Sequence, residues 1–326
     1  MTGPAGELLG WLGAHSVLRP AGPQARLVEQ LWDAMLLTSL IVFLLVCGAL
    51  WWAAVRRRAD GESSSAPDRL RRMTTGIGWA VAATAVILIG FTLLDYRVGS
   101  AYTRPPAADA LRIRLTGYQW WWQVEYRDPL PANWITTANE IHVPVGRPVV
   151  LELRAADVIH SVWVPALVGK RDLIPGKETS LWFQADTAGV YRGQCAEFCG
   201  KQHARMALEV VADPPDRFGA WLAGQRAAPA PPRESSPLKG RQVFLAGACV
   251  LCHTIQGTPA GGRVGPDLSH LASRRSIAAG TLPNTRGHLA GWILDPQRIK
   301  PGTAMPASAL AVPELHALLD YLETLR

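Results

Sequence analysis

Three kinds of hydrophobic patterning follow one another along the chain. Residues 34–55 (AMLLTSLIVFLLVCGALWWAAV) and 74–94 (TTGIGWAVAATAVILIGFTLL) are unbroken apolar runs of 22 and 21 positions without a charge. At about 1.5 Å rise per residue each predicts a helix of roughly 32 Å, enough for a bilayer core of about 30 Å. From about residue 107 to 212 the pattern shortens to runs rich in Val, Ile and aromatics, punctuated by Pro and Gly. Expected strands are Leu111 to Tyr126, Glu140 to Val143, Pro148 to Arg154, Val158 to Val164, Thr179 to Gln184, Gly189 to Gly193 and Met206 to Ala212, which together predict an antiparallel sandwich or barrel. Near the C-terminus, Leu315, Leu318, Leu319, Leu322 and Leu325 form one helical stripe behind Pro313.

Charge then gives the runs an orientation. The segment between them carries Arg56, Arg57, Arg58, Arg69, Arg71 and Arg72, whereas only Arg19 and Arg26 precede the first. By the positive-inside rule that segment is cytoplasmic, and two spans place both termini and everything after Asp95 on the outer side. Trp51, Trp52 and Trp79 fit interfacial anchors. A pair of buried soluble helices is the competing reading, but uncharged runs this long are rare in soluble proteins. Neither run holds His, Lys, Arg, Asp or Glu, so the hairpin alone cannot host a proton relay or a bis-histidine haem. Residues 1–30 lack a basic cluster before a long apolar core and do not read as a cleavable signal. The chain has a formal charge of +7, with no concentrated basic face, which argues against nucleic acid as a partner.

Four of the five cysteines fall in two tight pairs. In GQCAEFCGKQHARM, Cys195, Cys199, His203 and Met206 lie within twelve residues, just after one expected strand and just before the next. Two thiolates, an imidazole and a thioether are a soft donor set that favours copper over magnesium or calcium. Two cysteine sulfurs can bridge two copper ions, each capped by one imidazole. His160, in DVIHSVWVP, is the best second imidazole, with His142 the other histidine of this region. A Cys195 to Cys199 disulfide or a zinc site would also use these cysteines, but neither accounts for Met206.

Together with AGPQA near residue 21, GYQWWWQVEY, DVIHSVWVP and RDLIPG, this loop resembles subunit II of the haem-copper cytochrome c oxidases over about two thirds of the chain. The resemblance implies an outer cupredoxin-like Greek-key domain with a dinuclear CuA centre. Its ligands would be His160, Cys195, Cys199, His203 and Met206, with Glu197 giving its backbone carbonyl. It further implies that the Glu197 side chain faces a magnesium ion shared with the catalytic subunit, and that Trp120 is the residue through which electrons pass. Many relatives have His where this chain has Tyr118, and Tyr where it has Trp121.

Beyond residues 224–237 (GQRAAPAPPRESSP), Cys249-Val-Leu-Cys252-His253 matches the haem c attachment pattern, with His253 on the iron. Met305 in KPGTAMP is the only Met of this segment and the expected sixth ligand; His270, His288 and His316 are the alternatives. With Gly265-Pro266-Asp267-Leu268 and Trp292, the segment resembles a small class I cytochrome c, an all-α domain whose terminal helix packs on the helix before the haem motif. The expected organisation is an outer tail (1–30), a transmembrane helical hairpin (31–99), a cupredoxin-like CuA domain (100–223), a Pro-rich linker (224–237) and a cytochrome c domain (238–326). A fourteen-residue linker reaches about 40 Å at most, which keeps the haem domain near the copper without strong attraction between their surfaces.

These expectations describe a two-pass subunit of the bacterial cytoplasmic membrane with both cofactor domains on the periplasmic side. Electrons would run from an external donor, a cytochrome or bc complex, through haem c and CuA to a catalytic subunit I, where oxygen is reduced. The equivalent subunit of a nitric oxide reductase can use the same modules. A copper-delivery protein is a third reading, but it needs neither a haem c nor a dinuclear cage.

Overall fold

The computed structural model describes residues 16–56, 66–103 and 109–326. The chain divides into two compact units, one being Arg26–Pro105 and the other everything else. The first unit is built from helices α1 (Pro23–Arg56) and α2 (Ala66–Thr103), both longer than the apolar runs they contain. Among the described residues, none of the most apolar stretch of either helix is buried. Within α2, Thr84 and Thr92 turn their hydroxyls back onto the carbonyls of Ala80 and Leu88, which satisfies both donors inside the helix. Arg56 closes α1 with its guanidinium 4.5 Å from the Trp52 ring. Arg57 and Arg58 lie outside the described residues.

The second unit holds two modules. Its β module is a sandwich of two five-stranded sheets. One contains β1 (Leu111–Tyr118), β2 (Trp121–Tyr126), β3 (Ile135–Ala138), β5 (Val149–Ala155) and β8 (Thr179–Phe183), in the order β3-β2-β1-β5-β8. The other contains β4 (Glu140–Pro144), β6 (His160–Val164), β7 (Val168–Leu173), β9 (Gly189–Cys195) and β10 (Ala207–Asp213), in the order β4-β10-β9-β6-β7. Strict in-out alternation in β1 and β2 buries Ile113, Leu115, Trp122 and Val124 between the sheets.

Three features depart from the sequence expectation. The run Leu111 to Tyr126 folds back on itself as an antiparallel pair with Tyr118 opposite Trp121, a reversal the sequence does not signal because its turn carries none of the usual turn dipeptides. Two strands, β3 and β7, were not anticipated. β7 (VGKRDL) lies at a sheet edge, and its polar side chains suit that place better than a hydrophobic pattern would. The sheets are also mixed rather than antiparallel, since β1 pairs with β5 and β10 with β4 in parallel.

Ahead of α1, Ala21 is stitched into the sandwich: its N–H donates to Ala166 O at 2.7 Å and its carbonyl accepts from Asp186 N at 2.8 Å. After β10, helix α3 (Pro215–Arg226) brings Trp221 face to face with His142, with ring centroids 4.2 Å apart.

The C-terminal module is helical apart from one two-residue strand pair, β11 (Ser276–Ile277) with β12 (Leu282–Pro283). Its helices are α4 (Ser235–Ala246), α5 (Cys249–Cys252), α6 (Arg286–Leu294), α7 (Pro296–Ile299) and α8 (Val312–Leu322). All five leucines of the expected stripe are buried in its core with Phe244, Ile255 and Tyr321. Helix α8 crosses α4 at Gly240, where an added Cβ would fall 1.8 Å from Ala317 O, so the crossing requires glycine.

The expected linker is shorter in the structure. Residues 224–226 end α3 and 235–237 begin α4, leaving only 227–234 extended. Pro237 belongs to the first turn of α4, where the missing N–H costs nothing. The modules are also in direct contact, so the expectation that a linker alone keeps them together does not hold. Ala207 N donates to Ala279 O at 3.0 Å, Gln202 Nε2 to Pro301 O at 2.8 Å, and Arg275 pairs with Glu209 at 3.2 Å.

Candidate metal centre and haem site

Register brings the first site together. β6 and β9 are neighbours, with Val162 opposite Cys195, which sets His160 beside the end of β9. The chain then turns through residues 196–202 and a 3₁₀ turn, His203–Arg205, before β10 begins. Every expected donor of this region converges there. The two sulfurs of Cys195 and Cys199 are 3.7 Å apart; His160 Nδ1 lies 3.9 Å from Cys195 Sγ and His203 Nδ1 lies 3.7 Å from Cys199 Sγ. Met206 Sδ is 3.8 Å from Cys199 Sγ, and Glu197 O is 3.2 Å from Cys195 Sγ. A disulfide does not describe this pair, since both thiols are free.

The electrostatics are those of two thiols sharing a proton. Donation from Cys199 lowers the Cys195 thiol to about 3, despite burial, while the same contact and burial raise Cys199. For His160, burial opposes protonation but the contacts with Cys195 and Asp157 outweigh it, so its pKa is raised. A cation placed among these sulfurs would displace the shared proton and draw on both thiolates.

Asp157, a residue the sequence reading missed, orients His160. Its Oδ1 is 2.8 Å from His160 Nε2 and also accepts from Val158 N, while its Oδ2 accepts from Gln119 N at 2.6 Å. With Nε2 carrying the proton, Nδ1 is the nitrogen left to face the sulfurs. The Asp-x-x-His spacing in DVIH is the signal that could have revealed it. Trp120 is buried under the same loop and donates from Nε1 to Cys199 O at 2.9 Å; Gln119 Nε2 donates to that carbonyl at 2.7 Å. The Glu197 side chain points outward, 3.5 Å from Lys170 Nζ. His142 is elsewhere, bonded to Asp213 Oδ2 at 3.1 Å.

The second site is assembled around α5. Cys249 and Cys252 are free thiols at its two ends, and His253 caps it. His253 Nδ1 lies 2.8 Å from Pro266 O, which leaves Nε2 available to a metal. Burial lowers its pKa, favouring the neutral, ligating form. Met305 packs against the module's core. Of the alternatives, His288 is exposed and bonded to Thr285 and His316 is exposed; His270 is buried with neither ring nitrogen bonded. The donors at both sites fit the expected groups: soft sulfur and imidazole for copper, and a thiol pair with an oriented histidine for haem c.

Comparison with known proteins agrees with this division. The family model "Cytochrome C oxidase subunit II, periplasmic domain" matches residues 130–213, and "Cytochrome c" matches 238–326. These families imply copper and haem binding, respectively. The periplasmic domain of subunit II of cytochrome oxidase from Bradyrhizobium japonicum aligns at 33% identity and a TM-score of 0.35, covering 37% of this chain and 96% of that one. Cytochrome c oxidase subunit 2 of Bacillus sp. (strain PS3) is 30% identical over 83% of this chain and 80% of its own length. The corresponding protein of Alkalihalophilus pseudofirmus is 35% identical over 98% of this chain and 94% of its own. That likeness runs through the two long apolar helices, the sandwich and the C-terminal module alike, and on it the chain belongs to the cytochrome c oxidase subunit 2 family.

Proposed function

We propose that the chain is the electron-entry subunit of a terminal respiratory oxidase, in which His160, Cys195, Cys199, His203, Met206 and the carbonyl of Glu197 hold a dinuclear CuA centre. The carrying observation is the paired sulfurs, 3.7 Å apart, with one imidazole nitrogen against each. A single-copper site would need only one of the two thiols. In the second module Cys249 and Cys252 would bind haem c covalently, with His253 and Met305 as its axial ligands. When bound, each group supplies a one-electron centre; the chain's own residues set ligand geometry, exclude water and orient the two sites.

On this reading electrons pass from an external donor, a cytochrome or bc complex, to haem c, on to CuA and then to the catalytic subunit I, where oxygen is reduced. Both modules would lie on the periplasmic side, with the arginine-bearing segment between α1 and α2 in the cytoplasm. The half-exposed Glu197 carboxylate is free to exchange Lys170 for a magnesium ion shared with that catalytic subunit.

The test is a metal count and an EPR spectrum of the purified chain. Two coppers sharing one unpaired electron are expected, with that signal lost in Cys199→Ser and kept in His142→Ala. One copper with an ordinary localised spectrum would overturn the dinuclear centre.

A further inference from the structure

Part of the contact between the modules is built on Trp120. Lys300, from the C-terminal module, is 2% exposed and donates from Nζ to Trp120 O at 2.9 Å and to Ala278 O at 3.0 Å. No carboxylate pairs with it among the described residues. An ammonium buried this deeply is costly unless its protons are spent on fixed acceptors, so the two carbonyls and Lys300 hold one another in place. Two residues on, Gly302 lies over the Trp120 indole: an added Cβ would sit 3.5 Å from Cη2, and φ is +90°. On the copper-loop side Gly200, with φ +113°, approaches the same ring, and an added Cβ there would fall 3.1 Å from Cζ2. The indole is thus held between two glycine backbones, one beside Cys199 and one three residues before Met305, and is 8% exposed. Its Nε1 completes the link by donating to Cys199 O.

We propose that Lys300 and Gly302 are positioning residues for electron transfer between the modules. They seat the Met305 loop on Trp120, making the indole an internal relay and closing it to any outside redox partner, so that external electrons enter at the haem module alone. The inference rests on the copper and haem assignments above. It adds to them that the relay's outer face is occupied by the chain's own module. Around this seat, Arg205 donates to Ile299 O and Gln202 Nε2 donates to Pro301 O at 2.8 Å, so the loop is fixed on both sides of Lys300, while Arg275 N donates to Glu140 Oε1 at 2.5 Å farther along the contact.

The test uses the full chain with both cofactors, as parent, Lys300→Met and Arg275→Glu. The methionine keeps the stem's volume but donates nothing. The second change is on the half-exposed rim, away from Trp120, and sets a negative charge against Glu209 and Glu140. Hydroxyl-radical footprinting read by mass spectrometry reports access to Trp120, and photoinjection of an electron into the haem reports transfer to copper. In the parent Trp120 is expected to be protected. In both variants it should become labelled and transfer should slow by about tenfold or more, with the optical and EPR spectra of both centres unchanged. Trp120 already labelled in the parent, or still protected in both variants, would overturn the seat. Trp120 exposed with transfer at the parent rate would overturn the relay alone. Absence of either cofactor's signal in the parent would instead overturn the proposed function.

Discussion

Asp157 decides which nitrogen of His160 faces the sulfurs, although it touches no sulfur itself. Replacing it by Ala leaves Nε2 without its acceptor and lets the ring choose either tautomer. Copper affinity of the purified chain is then expected to fall by about 10–100-fold, measured by competition with a chelator, while the sandwich keeps its fold. Lys300 carries a pH dependence. Burial lowers its pKa from 10.5 to about 7, so the unfolded chain binds its proton over a range where the folded chain does not. Its contribution is fully present above the unfolded value and is lost as pH falls through 7. Thermal unfolding of the parent should show lower stability as pH drops from about 10 towards 7. Lys300→Met should lack that part of the profile, and identical profiles would show that the ammonium titrates as if in water.

At the level of elements, the closest backbone approach in the C-terminal module is the crossing of α4 and α8. Gly240→Val is expected to lower the stability of that module by at least about 1–3 kcal/mol, since Ala317's backbone cannot move away as a side chain could. The sandwich should melt unchanged, a difference that calorimetry on the full chain resolves. Elements of this module were readable in advance because local pattern decides them: a Pro313 start, a leucine stripe, a Cys-x-x-Cys-His. The convergence of the proposed copper donors was readable for a similar reason, since the side chains of Cys195, Cys199, His203 and Met206 are close in sequence and only His160 had to be brought from another strand. What escaped depends on pairing. β3 and β7 have weak patterns and are strands because a neighbour offers them a ladder. The β1–β2 reversal sits at Gln119 and Trp120, residues with no turn preference that are fixed by bonds to Asp157 and Cys199. Lys300 could not be singled out by any local rule, because its burial is created by a module 180 positions away.

For the whole molecule, the contact between sandwich and haem module changes what residues 227–234 do. If they were a leash, cutting them would free the haem module. With Lys300, Gln202, Arg275 and the Ala207–Ala279 bond in place, the cut halves of a chain carrying a protease site there should instead co-migrate on size exclusion. Arg275→Glu combined with the cut should release the module. Separation of the unsubstituted halves at micromolar concentration would mean that the interface cannot hold without the covalent link.

Ala21 gives the molecule a timetable. Its two partners, Ala166 and Asp186, leave the ribosome about 145 and 165 residues after it does, with both apolar helices made in between. The stretch before α1 must therefore wait, unpaired, until β7 and β8 have been made, and its docking is a late event in biogenesis. This stitch can therefore close only on strands that already exist, and it cannot nucleate the fold around them.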